Sequence, residues 1–316
     1  MTINLGVVMD PIESIKPAKD STLAMLLEAQ RRGWALHYME QGNLYVNHSQ
    51  CRARMKRIEV RDNHSDWFSF HEEHDTALEE LDVVLMRKDP PFDIEYIYTT
   101  YLLELAEQQG TLVVNKPQTL RDANEKLFTT QFPEQMPATL VTRQIDQIKR
   151  FLQEQGDIIV KPLGGMGGAS VFRIRPEDPN TSVILETLTD HGRQFTMAQR
   201  YIPEISKGDK RILMIDGQPI PYALARIPEQ GETRGNLAAG GTGEGRPLTA
   251  EDYAIAEAVG PTLQKNGILF AGLDVIGDRL TEINVTSPTC IRELDRQFDI
   301  NIAGTLMDAI EQKLSA

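Results

Sequence analysis

Cysteine is scarce in this sequence: among 316 residues it occurs only as Cys51 and Cys290. Two cysteines cannot form the disulfide framework of a small secreted domain. Long apolar runs are missing too, because no segment approaches the roughly 18 uninterrupted apolar residues that a membrane helix requires. The opening residues, MTINLGVVMDP, have neither the basic region nor the apolar region of a signal peptide. We therefore expect a soluble cytoplasmic protein with no membrane partner.

The chain also has fewer basic than acidic residues. The chain has 33 Lys and Arg against 46 Asp and Glu, which gives a formal net charge of −13 and a pI near 5.0. A nucleic-acid-binding face needs clustered basic side chains, so we expect no nucleic-acid partner. An acidic chain can still bind an anionic small molecule if it gathers a few Lys and Arg locally. A chain of this length buries about 75% of its unfolded surface, enough for two or three domains.

Strand-like apolar runs alternate with amphipathic stretches over the first 120 residues. Examples are the strand candidate NLGVVMD (4–10) and the helix candidate DSTLAMLLEAQRRG (20–33) that follows it. This alternation predicts an open, largely parallel α/β sheet. From about residue 123 the pattern changes to hairpins, one about Asp216-Gly217 and one across 269–285. Further helices are predicted at 92–110, 144–155, 249–266 and 301–314.

A glycine-rich knot interrupts two apolar runs in DIIVKPLGGMGGASVFRI (157–174), where four of the five residues from Gly164 to Gly168 are glycine. A P-loop is excluded because neither its Lys nor its helix follows, and GxGxxG fails because Ser170 stands at the third glycine. A tight hairpin turn and a phosphate-binding nest remain. Ordering four glycines costs about 2–4 kcal/mol relative to alanine, which favours a backbone nest with Lys161 beside it.

A second glycine-rich segment, GETRGNLAAGGTGEGRP (231–247), carries Arg234, and Arg226 ends the strand before it. A mobile surface loop would have this composition. A lid that closes over an anionic reaction centre and excludes water would also have it. The sequence leaves both interpretations open.

The stretch LDVIGDRLTEINVTSPT (273–289) places polar residues inside apolar strands. Glu282 and Asn284 are two apart and therefore point to the same face. A three-residue turn, Gly277 to Arg279, would put Asp274 opposite Glu282, whereas an even-length turn would put it on the other face. An exposed strand with ordinary surface charge is the alternative. Carboxylates that converge in an apolar hairpin favour a hard cation such as Mg²⁺, held together with substrate phosphates.

Two weaker patterns complete the candidates. FHEEHD (70–75) lacks the four-residue histidine spacing of HExxH, so we expect a solvated polar segment. The turns VMDP (8–11) and MRKDPP (86–91) each end an apolar strand, where open α/β sheets bind ligands. Arg87 and Lys88 there could hold a substrate carboxylate, or could be ordinary surface charge.

Several motifs together resemble the bacterial glutathione synthetases, which have the ATP-grasp fold. The resemblance extends from residue 6 to about residue 293, and the motifs that carry it most clearly are MRKDPPFD, VNKP, NEKLF, KPLGGMGGAS, MAQ, GDKR, LARIPEQGETRGNLAAGG and GLDVIGDRLTEINVTSPTCIRE. The resemblance implies an α/β fold in which two lobes hold ATP behind an N-terminal, Rossmann-like open parallel-sheet domain. The implied domains are the substrate-binding domain at 1–122, the small lid lobe at 123–200 and the catalytic lobe at 201–316.

The same resemblance implies an activity: ATP-dependent ligation of γ-glutamylcysteine and glycine to glutathione, with ADP and phosphate, through an acyl phosphate. Mg²⁺ is the implied cofactor, with Mn²⁺ as a substitute, and a homotetramer is the implied assembly. The alternative is another ATP-grasp carboxylate–amine ligase, of the D-alanine–D-alanine type or a peptide glutamate ligase. Those enzymes share the metal hairpin but not the ETRGNLAAGG and SPTCIRE segments.

Site residues follow from the matching motifs. The ATP phosphates would be contacted by Lys126 and Lys161 and covered by Gly165, Gly167 and Gly168. Adenine would meet Gln199, Tyr201 and Ile202, and the ribose would meet Asp209. The implied metal ligands are Asp274, Glu282 and Asn284. The residues that would stabilise the transferring phosphoryl group and the acyl phosphate are Arg211, Arg226 and Arg234. The implied peptide-substrate contacts are Asp10, Arg87, Ser287, Thr289 and Arg292.

One departure from the family pattern concerns the glycine loop. The similar enzymes commonly begin it with an acid, as DGMGG, whereas this chain has Gly164 there. The backbone nest survives this change, but we expect a more flexible loop. Cys290, beside the substrate turn, is expected to serve packing, because an acyl-phosphate mechanism needs no enzyme thiol.

Overall fold

The computed structural model describes residues 2–165, 167–228 and 242–315. Three β-sheets with their flanking helices make up this part of the chain. Arg234 and most of the second glycine-rich segment lie outside the described residues, so the choice between lid and surface loop stays open. Within the described ranges, no helix has the length and apolar character needed to cross a membrane.

The first sheet has seven strands. They are β1 (Asn4–Val8), β2 (Ala35–Met39), β3 (Leu44–Asn47), β4 (Gln50–Val60), β5 (Phe68–Ala77), β6 (Val83–Met86) and β7 (Leu112–Val114). The helices of this region are α1 (Ser21–Arg31), α2 (Ile94–Gln108) and α3 (Pro117–Asp122). Strands β2, β1, β6 and β7 are parallel neighbours in that order, which confirms the predicted α/β sheet. Asp20 and Asp93 cap the first turns of α1 and α2, because each side chain accepts a backbone N–H there.

The remaining strands of this sheet, β3, β4 and β5, pair antiparallel. The end of β4 is RIEV (57–60), a strand candidate in the sequence. The rest of this extension was not predicted, because charged residues alternate with the buried Cys51, Ala53 and Met55 along β4. The FHEEHD segment forms part of β5, and His71 and its two glutamate neighbours are exposed. Among the described residues, no group of three or more His, Cys, Asp and Glu side chains, FHEEHD included, has a metal-binding arrangement.

The second sheet has four antiparallel strands in the order β10-β9-β11-β8. They are β8 (Thr139–Thr142), β9 (Ile158–Pro162), β10 (Phe172–Ile174) and β11 (Thr196–Arg200). The helices α4 (Ile145–Gln155) and α5 (Thr181–Leu188) belong to the same region. Ile148, Leu152 and Leu185 pack against Val160 in a small separate core. Gly156 ends α4 at a φ of 75°, a conformation that glycine adopts without strain.

The third sheet has five antiparallel strands in the order β14-β13-β12-β15-β16. They are β12 (Asp209–Ile215), β13 (Gln218–Ile227), β14 (Thr242–Pro247), β15 (Phe270–Ile276) and β16 (Arg279–Asn284). Its helices are α6 (Ala250–Lys265), α7 (Ile291–Phe298) and α8 (Ile302–Leu314). Both predicted hairpins, about Asp216-Gly217 and across 269–285, are confirmed. The short helix α7 was not predicted.

One apolar core joins the first sheet to the third, since buried residues of α1 and α8 belong to the same cluster. Arg32 reinforces this contact: its guanidinium lies 2.7 Å from an Asp308 carboxylate oxygen and 3.2 Å from one of Glu311. The second sheet has its own core and packs as a separate lobe. A cleft separates this lobe from the part of the chain that contains the first and third sheets, so all three sheets border the cleft.

Candidate active site

A cavity of about 330 Å³ lies where the three sheets meet. Its walls come from the turn after β6, from β9 and β11, and from four strands of the third sheet. Most of the residues predicted for the site line this cavity: Lys126, Lys161, Gly165, Gly167, Gly168, Gln199, Tyr201, Ile202, Asp209, Arg211, Arg226, Asp274, Glu282, Asn284, Ser287 and Thr289. Residues that lie more than 160 positions apart in the chain thus share one chamber.

Two of the predicted peptide contacts lie off the cavity wall. Asp10, half-exposed, accepts the backbone N–H of Asp89 at 2.9 Å, and Asp89 itself lines the cavity. Arg292 forms an ion pair with Asp62. Its buried Nη1 atom has no hydrogen-bond partner among the described residues. The structure therefore places neither residue on the cavity wall.

Arg87 was predicted to hold a substrate carboxylate, but its described hydrogen bonds go to the protein. The side chain is buried and donates to Thr22 Oγ1 at 3.1 Å and to the carbonyl oxygen of Pro288 at 2.9 Å. Arg87 is also absent from the cavity wall. It joins the end of β6 to the turn that carries Ser287 and Thr289.

Two lysines mark one end of the cavity. Lys126 Nζ donates to the carbonyl oxygen of Gly165 at 2.5 Å and lies 3.5 Å from a Glu282 carboxylate oxygen. Lys161 Nζ lies 3.6 Å from the same oxygen and donates to Thr281 O at 3.4 Å. Burial lowers the pKa of Lys161, and Glu282 acts against that shift. Two cations beside a glycine loop form a site suited to phosphate groups.

The glycine loop connects β9 to β10, which pair antiparallel, so the predicted strand-to-strand connection is confirmed. Gly167 and Gly168 have φ angles of 66° and 76°, a region that strains residues with a side chain. A Cβ atom on Gly165 would stand 2.9 Å from Pro162 Cγ. The glycines therefore allow the positive φ angles at Gly167 and Gly168 and the close packing of Gly165 against Pro162. An anion-binding nest requires a backbone of this kind.

The carboxylate hairpin has the predicted pairing but a different turn. Ile276 pairs with Arg279 across a two-residue turn, so an undisturbed register would place Asp274 opposite Thr281. A β-bulge inserts Thr281 as an extra residue in β16, and Asp274 faces Glu282 as a result. Thr281 Oγ1 donates to the carbonyl oxygen of Asp274 at 3.0 Å. Of the two turn lengths left open by the sequence, the structure has the even one, yet the bulge keeps Asp274 opposite Glu282, so the expectation that an even-length turn would separate them was wrong.

A buried cluster of two arginines and two aspartates lies in the centre of the third sheet. Arg211 donates to both carboxylate oxygens of Asp274, at 2.5 and 3.0 Å. Arg226 lies 2.9 Å from Asp274 and also bonds Asp209. Burial opposes ionisation of Asp274, yet the two arginines hold its pKa far below its usual range. Burial raises the pKa of Asp209, with Arg226 opposing the rise and Asp274 adding to it.

The polar face of the hairpin fits a divalent cation by its donor chemistry. The oxygens of Asp274, Glu282 and Asn284 are the hard ligands that Mg²⁺ and related ions prefer. Asn284 Nδ2 donates to Gly272 O at 3.2 Å, which turns its amide oxygen away from that strand. Asp274 has both oxygens engaged by arginine, so a bound cation would compete with Arg211 and Arg226 for it.

Another part of the cavity wall contains Tyr201 and the apolar side chains of Ile159, Ile202 and Ile205. Gln199 is buried on β11, and its amide donates to Thr139 Oγ1 at 3.1 Å. Tyr201 and Ile202 follow at the end of this strand. The guanidinium of Arg173 stacks over the Tyr201 ring at 3.5 Å from its centroid. An edge of this kind can receive a planar base. One buried Asp209 oxygen has no hydrogen-bond partner in the part of the chain that the structure describes and could accept from a hydroxyl group.

Several wall residues were not predicted, among them Asp89, Glu125, Thr286 and Cys290. Glu125 precedes Lys126 in NEKLF. This motif contributed to the resemblance, but only Lys126 was predicted as a site residue. Cys290 has a φ of 93° and is buried, and burial raises the pKa of its thiol. A protonated thiol fits the expected packing role.

Comparison with known proteins identifies the family of the chain. A model described as prokaryotic glutathione synthetase, N-terminal domain, matches residues 3–121, and one described as prokaryotic glutathione synthetase, ATP-grasp domain, matches residues 125–299. A glutathione synthetase of Pseudomonas syringae pv. tomato is 66% identical over 316 residues, covering 100% of this chain and 99% of that protein. The glutathione synthetase of Escherichia coli strain K12 is 62% identical, covering 99% of each.

Solved structures show the same fold at low sequence identity. The D-cycloserine synthetase DcsG aligns with a TM-score of 0.68 at 14% identity, covering 98% of this chain and 99% of that one. A D-alanyl-alanine synthetase A from Vibrio cholerae aligns with a TM-score of 0.59 at 12% identity, covering all of both chains. These likenesses confirm the predicted ATP-grasp fold. The chain belongs to the prokaryotic glutathione synthetase family.

Proposed function

We propose that the cavity between the lobes is the active site in which this chain ligates γ-glutamylcysteine and glycine to glutathione at the expense of ATP. Family membership makes the chain an ATP-dependent ligase of glutathione synthesis that uses a divalent metal ion. The observation that carries the assignment of the site is that Lys126 and Lys161 lie within 3.6 Å of Glu282, opposite Asp274, in one chamber. Phosphate-binding cations and metal-binding carboxylates thus meet where a γ-phosphate would react.

ATP would lie along the cavity with its base at β11 and its phosphates at the glycine loop. Gln199, Tyr201 and Ile202 would contact the adenine, and Asp209 would accept a ribose hydroxyl. Lys126 and Lys161 would hold the phosphates, beneath the backbone N–H groups of Gly165, Gly167 and Gly168. All of these residues line the same cavity, which supports this placement.

Asp274, Glu282 and Asn284 would hold the metal ion, for which Mg²⁺ is proposed and Mn²⁺ is the substitute. A bound Mg²⁺ neutralises phosphate charge and aligns the phosphates for transfer. Glu282 already contacts both lysines, so it links the metal position to the phosphate position.

Phosphoryl transfer would run from ATP to the cysteinyl carboxylate of γ-glutamylcysteine and form an acyl phosphate and ADP. Arg211 and Arg226 would stabilise the negative charge on the moving phosphoryl group, since both guanidinium groups line the cavity. The amine of glycine then attacks the acyl carbon, phosphate leaves, and the new amide is glutathione. The acyl phosphate would hydrolyse in open water, which makes exclusion of water a requirement. Arg234 is proposed to contribute to this stabilisation.

The peptide substrate would bind on the side of the first sheet. Ser287 and Thr289 line the cavity there and are proposed as direct contacts. Asp10, Arg87 and Arg292 are proposed to act at the rim or through the turn that they support.

Release of ADP tests the assignment. The protein with Mg²⁺, ATP, γ-glutamylcysteine and glycine should release ADP and form glutathione, and omission of any one component should stop glutathione formation. Rapid ADP release without glycine or the dipeptide, or none with all components present, would contradict the proposal. The cytoplasmic location and the homotetramer stay predictions, and light scattering coupled to size exclusion measures the subunit number.

A further inference from the structure

The turn between β16 and α7, residues 285–289, is held in place by residues from outside the third sheet. Asn115 Nδ2, at the end of β7, donates to Val285 O at 2.8 Å. Arg87, at the end of β6, donates to Pro288 O at 2.9 Å. The turn carries Ser287 and Thr289 on the cavity wall. Its position therefore depends on contacts that the hairpin itself does not supply.

Glu125 makes the densest of these contacts. Its Oε1 atom accepts the backbone N–H of Val285 at 3.0 Å, that of Thr286 at 3.2 Å, and the Thr286 hydroxyl at 2.8 Å. The carbonyl oxygen of Glu125 accepts the N–H of Ile283 at 2.8 Å. One residue thus bonds the last part of β16 and the first part of the turn.

The two neighbours of Glu125 serve a different part of the cavity. Asn124 Oδ1 accepts the N–H groups of Lys126 and Leu127 at 3.2 and 2.9 Å, and its amide donates to Leu163 O at 3.3 Å. Lys126 reaches the carbonyl oxygen of Gly165. Asn124 and Lys126 are thus directed to the glycine loop, whereas Glu125 is directed to the 285–289 turn. Three consecutive residues therefore contact two different parts of the site, the glycine loop and the 285–289 turn.

We propose that Glu125 is a positioning residue for the dipeptide half of the reaction, holding the 285–289 turn so that Ser287 and Thr289 meet γ-glutamylcysteine. The substrate named here rests on the proposed function, whereas the anchoring of the turn does not. The acceptor oxygen carries this role, and the charge of the carboxylate is secondary.

Glu125→Ala and Glu125→Gln test the proposal by steady-state kinetics with each substrate varied in turn. The alanine variant should lose on the order of 100-fold in kcat/KM for γ-glutamylcysteine, the loss expected for about 1 Å of misplacement. Its KM for ATP should stay within about twofold of wild type, because the bonds of Asn124 and Lys126 remain. The glutamine variant keeps an acceptor oxygen and should stay within about fivefold of wild type. Equal losses for ATP and dipeptide, or a glutamine variant as impaired as the alanine variant, would overturn the proposal.

Matched variants separate the two halves of the site. Asn124→Ala should raise the KM for ATP more than that for γ-glutamylcysteine, the reverse of Glu125→Ala. Thr286→Val removes one of the three donors to Glu125 and should lower kcat/KM for the dipeptide by about threefold to tenfold. An Asn124→Ala variant with the same pattern as Glu125→Ala would show that the motif acts as a single unit and refute the division.

Hydrogen–deuterium exchange tests the anchoring without reference to activity. Glu125→Ala should accelerate exchange of the Val285 and Thr286 amides at least tenfold, while peptides from β9 and β11 exchange as in wild type. Unchanged exchange at these two amides would refute the anchoring even in a protein that makes glutathione. Failure of wild type to release ADP would instead refute the proposed function and leave this measurement valid.

Discussion

Replacing Asp274 by alanine should destabilise the fold as well as stop the reaction. Asp274 is buried and holds Arg211 and Arg226, and Asp209 supplies the second negative charge of the cluster. The cluster is neutral with both aspartates ionised, so the variant leaves an unbalanced positive charge in the interior. Removing one partner of a buried ion pair costs about 3–5 kcal/mol, and we expect a loss in unfolding free energy of that size.

Glu282→Ala is the matched control, because it removes the other carboxylate of the same predicted metal site. Glu282 is 23% exposed and lies 3.5 and 3.6 Å from its lysine partners, farther than a hydrogen bond. Both lysines keep a backbone carbonyl partner, at Gly165 and Thr281. Both lysines are buried, but their carbonyl partners remain, so the loss of Glu282 should cost about 1–2 kcal/mol, between the values for an exposed pair and for a broken buried pair. Turnover should fall steeply in both variants, whereas stability should separate them.

Urea unfolding followed by circular dichroism measures the difference, and a double variant tests its cause. Adding Arg211→Met to Asp274→Ala restores a neutral cluster, because Arg226 still pairs with Asp209. The double variant should recover about 2 kcal/mol relative to Asp274→Ala alone. A single variant within about 1 kcal/mol of wild type, or a double variant no more stable than the single one, would refute the electrostatic reasoning.

Three further outcomes are expected. Arg234→Ala should leave ATP binding by calorimetry largely intact but lower turnover sharply, and normal turnover would remove its proposed catalytic role. Gly167→Ala should raise the KM for ATP about fivefold, since a left-handed residue costs about 1–2 kcal/mol, whereas Gly164→Ala should match wild type because a Cβ there meets nothing within 4 Å. Burial lowers the pKa of His37 from 6.5 to about 4. Below pH 6.5 the unfolded state therefore binds a proton at His37 that the folded state does not bind, so the free energy of unfolding decreases as the pH is lowered. His37→Phe should reduce that loss between pH 7 and pH 5 by about 1–2 kcal/mol in urea unfolding, and an unchanged pH dependence would contradict the assignment.

Local patterns were enough for most of the helices and for both hairpins of the third sheet. Strand β5 and most of β4 were not predicted, because charged residues occupy their outer face and their composition resembles that of a solvated segment. Helix α7 was not predicted from the sequence, because it is short and begins after Cys290, a residue with a positive φ. Arg87 shows that the contacts of a single residue cannot be predicted from its position in the chain. Its place after β6 suggested that it binds a ligand, but its described hydrogen bonds go to Thr22 and Pro288.

What the sequence determined by itself was the class of chemistry, because residue types at short spacing have meaning without three-dimensional contacts. Lys161 before four glycines, and Glu282 two residues from Asn284, predicted phosphates and a hard cation. Tertiary structure alone decided how these groups face one another. The bulge at Thr281 brings Asp274 opposite Glu282, and Glu125 bonds the turn 160 positions away. Both depend on backbone register and on long-range hydrogen bonds, which no local pattern specifies.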